Sequence, residues 1–206
     1  MKVLVIGATG GTGLHLVRKA LAAGHEVTAL ARHPGAFPQQ HASLRVAKGD
    51  VRDAASLDAA VQGQDAVLIA LGPRSLQEED LQETAMRNLV PALQKHGVRR
   101  VVNLSAWGAG DSAKHTQLVF RVIQKTVLRK VWPDKERGEA LLLGAGLDYV
   151  NVRPGRLLDA PARGGVKAAL EPGKLKAELT REDTADFMVA QLTSDAWLRR
   201  SPLLGY

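Results

Sequence analysis

Cysteine is absent from the 206 residues. That excludes disulfides, thiolate zinc sites and a cysteine nucleophile, and it suits a reducing compartment. No apolar run approaches the roughly 20 residues needed to span a bilayer, and the first, residues 3–6, is too short for the core of a secretion signal. The expectation is a cytoplasmic protein with no membrane partner and no metal site. Internal repeats, low-complexity tracts and linker-like stretches are also missing. One domain over residues 1–206 is therefore expected, with 45% hydrophobic and 24% charged residues close to globular averages.

What the chain has in excess is positive charge, formally +7 at neutral pH. Such a balance points to an anionic partner, with nucleic acid, an acidic surface, a phosphorylated cofactor and an acidic substrate all open. Residues 114–137 hold Lys114, Arg121, Lys125, Arg129, Lys130, Lys135 and Arg137 against Asp134 and Glu136, a net +5 in one segment. Within it Arg121, Lys125 and Arg129 recur every four residues, while Leu118, Val122, Ile123 and Val127 take another side. This is the pattern of an amphipathic helix with a cationic stripe. The stripe is either a solvated face or an attractor for an anionic small-molecule acceptor. Nucleic acid is disfavoured, because the segment has few aromatics for stacking and no recognised module motif.

Short β-like runs alternate with longer helical patterns along the chain, which predicts an α/β fold with a doubly wound parallel sheet flanked by helices. Strands are expected at Lys2–Ile6, Glu26–Ala31, Leu44–Lys48, 66–71, Arg100–Leu104 and 148–152. Helices are expected at 11–23, 56–62 and 135–143, with another marked by Leu81, Ala85, Leu89 and Leu93. Leu14, Val17 and Leu21 set the apolar face of the first helix, and Gly24 closes it. Thr180-Arg181-Glu182-Asp183 reads as a helix N-cap before Phe187, Val189 and Leu192, a structural role. Loop-rich stretches lie at 34–40 and 154–173.

Gly7-Ala8-Thr9-Gly10-Gly11-Thr12-Gly13 joins the first strand to the first helix. Glycines there permit a tight turn and let a pyrophosphate approach free helix amides. The G-x-x-G-x-x-G spacing differs from G-x-G-x-x-G, and its position at the first strand-to-helix junction is what gives it weight. Arg32 ends the second strand, where NAD-binding proteins place an acid on the adenine ribose. A cation there favours a 2′-phosphate, hence NADP(H) over NAD(H), the alternative being a solvated surface arginine. Asp50, in Gly49-Asp50-Val51, is placed either at the adenine amino group or in an Asx turn. Leu71-Gly72-Pro73-Arg74 and Ser105-Ala106 end the fourth and fifth strands on the same carboxyl edge, so Ser105 is aimed at the site. Its hydroxyl is read as polarising a carbonyl or holding the nicotinamide, or as an ordinary cap. No constellation for hydrolysis gathers nearby.

These residues resemble the atypical short-chain dehydrogenase/reductases, in particular the NmrA-like, flavin reductase and biliverdin reductase B group. The resemblance rests on Gly7-Ala8-Thr9-Gly10-x-Thr12-Gly13, Gly49-Asp50-Val51, Gly63-Gln64-Asp65-Ala66-Val67, His96-Gly97-Val98, Leu104-Ser105-Ala106, Gly146-Leu147-x-Tyr149-Val150 and Arg153-Pro154-Gly155, in order along most of the chain. It implies a Rossmann-type fold, a monomer, and substrate-side elements within 106–133 and 154–178. It further implies that Thr9, Gly11, Thr12 and Arg32 lie along the cofactor phosphates and Asp50 and Val51 at adenine. Leu71, Gly72 and Arg74 would follow the pyrophosphate and ribose, while Ser105, Lys135, Pro154 and Arg156 surround the nicotinamide end. Two departures bear on function. The loop after the second strand offers Ala36 where a further basic residue stands in the family, which weakens the expected grip on a 2′-phosphate. Where typical members carry a Tyr-x-x-x-Lys pair, this chain has Val131-Trp132-Pro133-Asp134-Lys135. Lys135 is retained at the expected start of a helix, and the proton-donating tyrosine is missing. Ser105 and Lys135 are the catalytic candidates. The expected activity is NADPH-dependent hydride transfer to a flavin-like, quinone-like or other conjugated acceptor; the alternative is a non-catalytic NADP(H) sensor.

Overall fold

The computed structural model describes residues 1–206 apart from Arg74 and Gln117. Its strands are β1 (Lys2–Ile6), β2 (Glu26–Ala31), β3 (Leu44–Lys48), β4 (Ala66–Ile69), β5 (Arg100–Leu104), β6 (Asp148–Pro154), β7 (Arg156–Leu158), β8 (Lys167–Ala169), β9 (Glu178–Thr180) and β10 (Leu203–Gly205). The helices are α1 (Gly11–Ala22), α2 (Ala54–Val61), α3 (Leu81–His96), α4 (Leu118–Thr126), α5 (Val131–Leu143) and α6 (Arg181–Ala190). Eight strands form one sheet in the order β3-β2-β1-β4-β5-β6-β10-β8, parallel except for β8, and β7 pairs with β9 separately.

Alternation along the strands divides the core into two layers. Val3 and Val5 of β1 pack with Leu16 and Val17 of α1 and Met188 of α6, while Leu4 and Ile6 pack with Leu57 of α2, Leu89 of α3 and Leu142 of α5. A strand apolar without interruption from Val3 to Ile6 is what a sheet covered on both faces requires. The chain winds outward from β1 to β3, then resumes at β4 on the other side of β1. That reversal leaves a crevice at the carboxyl ends of β1 and β4, where open parallel sheets bind ligands.

Several boundaries move from their expected places, each for a local reason. α2 begins at Ala54 because the Asp53 carboxylate accepts from the Ala55 amide, 3.0 Å away. β4 stops at Ile69, and Leu71 and Gly72 turn out to line the crevice. α5 starts at Val131, with Pro133 in its first turn, where no intrahelical donor is lost. Lys135 therefore stands in the second turn rather than at the helix start. The buried stripe of α1 is Leu16, Val17 and Ala20, with Leu14 and Leu21 only partly covered, because the helix lies between the sheet and α6. The capping of α6 is as expected, the Thr180 hydroxyl accepting from the Asp183 amide at 3.0 Å.

The amphipathic segment departs furthest. α4 ends at Thr126, so Arg129 lies beyond it and the four-residue recurrence is not one helical stripe. Leu118 is 76% exposed and Val122, Ile123 and Val127 are also open to solvent, while Phe120 packs edge-on against Trp132, so no core layer covers these four side chains. Arg121 donates to the carbonyls of Ala113 and Lys114. Among the described residues no helix is long and apolar enough to cross a membrane.

Candidate functional site

Three of the four glycines of the first junction, Gly7, Gly10 and Gly13, do different work. Gly7 has φ +78°, and a Cβ there would stand 2.4 Å from the Ala70 carbonyl oxygen. On Gly13 it would stand 2.0 Å from the Gly7 oxygen, so these two positions let β1, β4 and α1 meet backbone to backbone. Gly10 has an extended backbone and would place its Cβ no closer than 3.4 Å to a neighbour, so packing leaves room there. It is the N-cap of α1, no side chain caps that end, and the first turn carries no acid. The uncapped amides and the positive end of the helix dipole form an anion cradle.

Above this loop lies a cleft of about 700 Å³. Of the residues singled out in the sequence, Gly7, Thr9, Gly10, Gly11, Thr12, Arg32, Asp50, Val51, Leu71, Gly72, Ser105 and Lys135 line it. Gly13 lies beneath, in the packing just described. Pro154 and Arg156 do not line the cleft; Leu157 beside them does. Arg74 lies outside the described residues. Two arginines that sequence reasoning left out, Arg52 and Arg181, also reach the cleft.

At the end of the cleft beside β2 and β3, Arg32 is half-buried and has no hydrogen bond or ion pair among the described residues. Arg52 is held by both oxygens of Asp80, at 2.9 and 2.6 Å, and by Glu78. Asp50 does form the Asx turn, its carboxylate accepting from the Arg52 amide at 2.9 Å, and it lines the cleft as well.

At the other end, Ser105 is fastened by its amide to the Val152 carbonyl at 2.7 Å, and its hydroxyl donates to Glu139 at 2.5 Å. Glu139 is buried and forms an ion pair with Arg153, itself only 2% exposed, whose guanidinium also reaches Asp111. Arg153 holds the Asp111 carboxyl below the usual range. Gly110, at φ +55°, lies close against the Arg153–Glu139 pair, where a Cβ would meet the guanidinium at 2.6 Å and the carboxylate at 2.7 Å. A carboxylate has no proton to donate, so the Ser105 hydrogen is committed to Glu139 and the hydroxyl offers lone pairs elsewhere. Glu139 went unnoticed in sequence, and Arg153 was noted only as part of Arg153-Pro154-Gly155; the available signals were a glutamate one turn after Lys135 and an arginine set between Val152 and Pro154 in β6.

Lys135 lies one turn after Val131, which is buried where a proton-donating tyrosine would stand. The chain's two tyrosines are elsewhere: Tyr149 is the second residue of β6, and the Tyr206 hydroxyl donates to Asp183. Burial pushes the Lys135 amine down from its ordinary range, against the pull of Glu139 and Asp134. Asp134 is occupied, accepting from the Gln82 and Glu83 amides at 2.8 and 2.9 Å and so capping α3 from the neighbouring helix. The cleft thus pairs an anion cradle and a cation unpaired among the described residues with a wall at Ser105 and Lys135 that has no phenol. These features fit a dinucleotide.

A family model described as NAD(P)H-binding matches residues 7–195. The chain is similar to an uncharacterized chloroplastic protein of Arabidopsis thaliana, with 28% identity over 94% of this chain and 72% of that one. Among solved structures it resembles ChuY, an anaerobilin reductase from Escherichia coli O157:H7 (24% identity, 99% of this chain and 96% of that one, TM-score 0.79). It also resembles a short-chain dehydrogenase/reductase from Veillonella parvula in complex with NADP (18% identity, 100% and 94%, TM-score 0.84). At these identities the structural likeness is one of fold. The chain spans about a third of the length of several further curated relatives that it matches.

Proposed function

The chain belongs to the NAD(P)H-binding family, and on that premise we propose that it is an NADPH-dependent reductase of a flavin-like, quinone-like or other conjugated small molecule. The observation that carries the chemical part is the Ser105–Glu139 hydrogen bond in a cleft with no tyrosine. When bound, the reduced nicotinamide supplies a hydride. The glycine loop and the α1 amides hold the diphosphate, Arg32 meets the 2′-phosphate, and Lys135 with Ser105 positions the nicotinamide end. Ser105 accepts a hydrogen bond there and gives no proton, since its own is held by Glu139. An acceptor that spreads the added electron pair over a conjugated system needs no strong acid beside it and takes its proton from water, completing a two-electron reduction. A simple ketone, whose alkoxide needs that acid at once, fits less well.

Ser105→Ala is therefore expected to lose only a little NADPH affinity, Lys135 and the glycine loop remaining, and to keep flavin or quinone reduction within about 10-fold to 100-fold of the parent, the loss being one orienting hydrogen bond. Steady-state rates beside direct binding constants decide this; complete loss of turnover with intact binding would make Ser105 the essential acid and overturn the mechanism. The same missing acid favours a second reading, a protein that binds NADP(H) and reports it to a partner. One-to-one NADPH binding without oxidation across a panel of flavins and quinones would select the sensor over the reductase.

Cofactor choice is tested at Arg32, the unpaired cation at the end of β2. Arg32→Glu removes a charge-assisted partner of the 2′-phosphate and introduces an acceptor for a free ribose hydroxyl. Calorimetry is expected to show NADPH affinity falling about 10-fold or more, with NADH unchanged or tighter. Equal changes for the two cofactors would remove Arg32 from phosphate recognition.

A further inference from the structure

Arg181 opens α6, one residue after the Thr180 cap, and its sequence context reads as helix capping alone. In the fold its side chain crosses to the glycine loop. A Cβ on Gly11 would lie 3.0 Å from both its Cδ and Nε, so the guanidinium stem rests directly on the loop backbone, in space that a residue without a side chain leaves open. Its Nη1 stands 3.4 Å from the Thr12 hydroxyl, and the residue lines the cleft. Two partners hold it: Nη1 donates to that hydroxyl, and Nε donates to Asp159 at 2.7 Å. Asp159 is 81% exposed, so this pair is made in water and held weakly. Asp159 follows β7, three residues before a stretch pinned to the start of α6: the Ala162 amide donates to Glu182, and the Arg163 and Gly164 amides donate to Asp183 at 2.8 and 3.0 Å. The segment around Asp159 is thus held from two sides, by fixed backbone bonds beyond it and by Arg181.

We infer that Arg181 is a clamp for the cofactor diphosphate, kept beside the cradle by Asp159 and handed from that carboxylate to the diphosphate when the cofactor binds. The inference rests on the reading of the cleft as a dinucleotide site. A guanidinium lying on the loop that leads into the uncapped α1 adds a mobile, forked donor to fixed backbone donors. Asp159 competes for it, so the carboxylate lowers cofactor affinity, and cofactor binding releases the link between the glycine loop and the 159–164 segment. The coupling is reciprocal: whatever draws Asp159 away from Arg181 tightens the cofactor.

Calorimetric titration of the full chain with NADPH and NADH tests this. Arg181→Gln is expected to weaken both cofactors by the same factor, about 10-fold, because both carry the diphosphate. Asp159→Asn is expected to tighten both by about 3-fold, since removing an exposed competitor returns only the small energy of that pair. In the double variant the gain from Asp159→Asn should vanish, as the group it liberates is gone. Thermal melts without cofactor establish that each variant is folded. Unchanged or weakened binding in folded Asp159→Asn would overturn the exchange, and so would an Arg181→Gln effect confined to NADPH. If the parent protein binds neither cofactor, the dinucleotide reading itself falls; if it binds both and Arg181→Gln changes nothing, only the clamp falls.

Discussion

Gly10→Val is expected to abolish NADPH and NADH binding, by 100-fold or more, in a protein that still folds. The backbone at Gly10 is extended, which a β-branched residue adopts readily, and the nearest atom to its Cβ is the Gly7 carbonyl oxygen at 3.4 Å. The branches are left to enter the cleft above the uncapped α1 amides, where a diphosphate must approach the backbone. Gly13→Ala serves as the contrast. Its Cβ would overlap the Gly7 oxygen at 2.0 Å, so the loop must move, and both stability and binding should suffer. Calorimetry beside thermal melts separates the two variants. Tight binding by a folded Gly10→Val would place the cofactor somewhere other than this loop.

The second large effect is expected at Glu139→Ala, as a loss of stability. Arg153 is 2% exposed and Glu139 is its buried partner; Asp111, the other carboxylate, is 81% exposed. Removing one member of a buried ion pair leaves a charge without compensation, which costs about 3 to 5 kcal/mol. Because Asp111 remains, about 3 kcal/mol is expected, a fall in Tm of roughly 6–12 °C for a chain of this size. Replacing both partners, Glu139→Leu with Arg153→Met, should recover much of that loss, since apolar groups of similar volume leave nothing uncompensated. A Tm within about 2 °C of the parent in Glu139→Ala would mean that the pair carries little of the stability assigned to it. The single variant also frees the Ser105 hydroxyl, so its acceptor range, measured on whatever fraction is folded, reports on the polarity of that group.

Periodicity and spacing made most of the sheet legible. Val3, Leu4, Val5 and Ile6 are apolar without interruption because both faces of β1 are covered, and a run of that kind declares a central parallel strand before any coordinates exist. The glycine loop was readable for a related reason. Its glycines follow a strand and open a helix, so their role is set by neighbours only a few residues away. Helix starts were harder. α5 begins at Val131 rather than Lys135, because a proline in a first turn looks like a break when read along the chain and costs nothing when its amide would have been free. Nothing local says that the apolar side of α4 lies open to solvent, since amphipathic spacing describes a face and not what covers it.

By itself, then, the sequence determined the winding of the sheet, the cradle at its first turn and the cation of Arg32 at the end of β2, all features whose causes lie within a few residues of one another. Only the tertiary structure decided what surrounds Ser105 and the glycine loop. Ser105 and Glu139 are 34 positions apart, yet the hydroxyl of one donates to the carboxylate of the other. Arg181 and Thr12 are separated by 169 positions, yet α1 and α6 pack side by side and bring a capping arginine onto the glycine loop. Pairings of this range depend on which helices share a face of the sheet and how far along it they sit. The sum of many weak apolar contacts sets that arrangement, and no single motif along the chain records it.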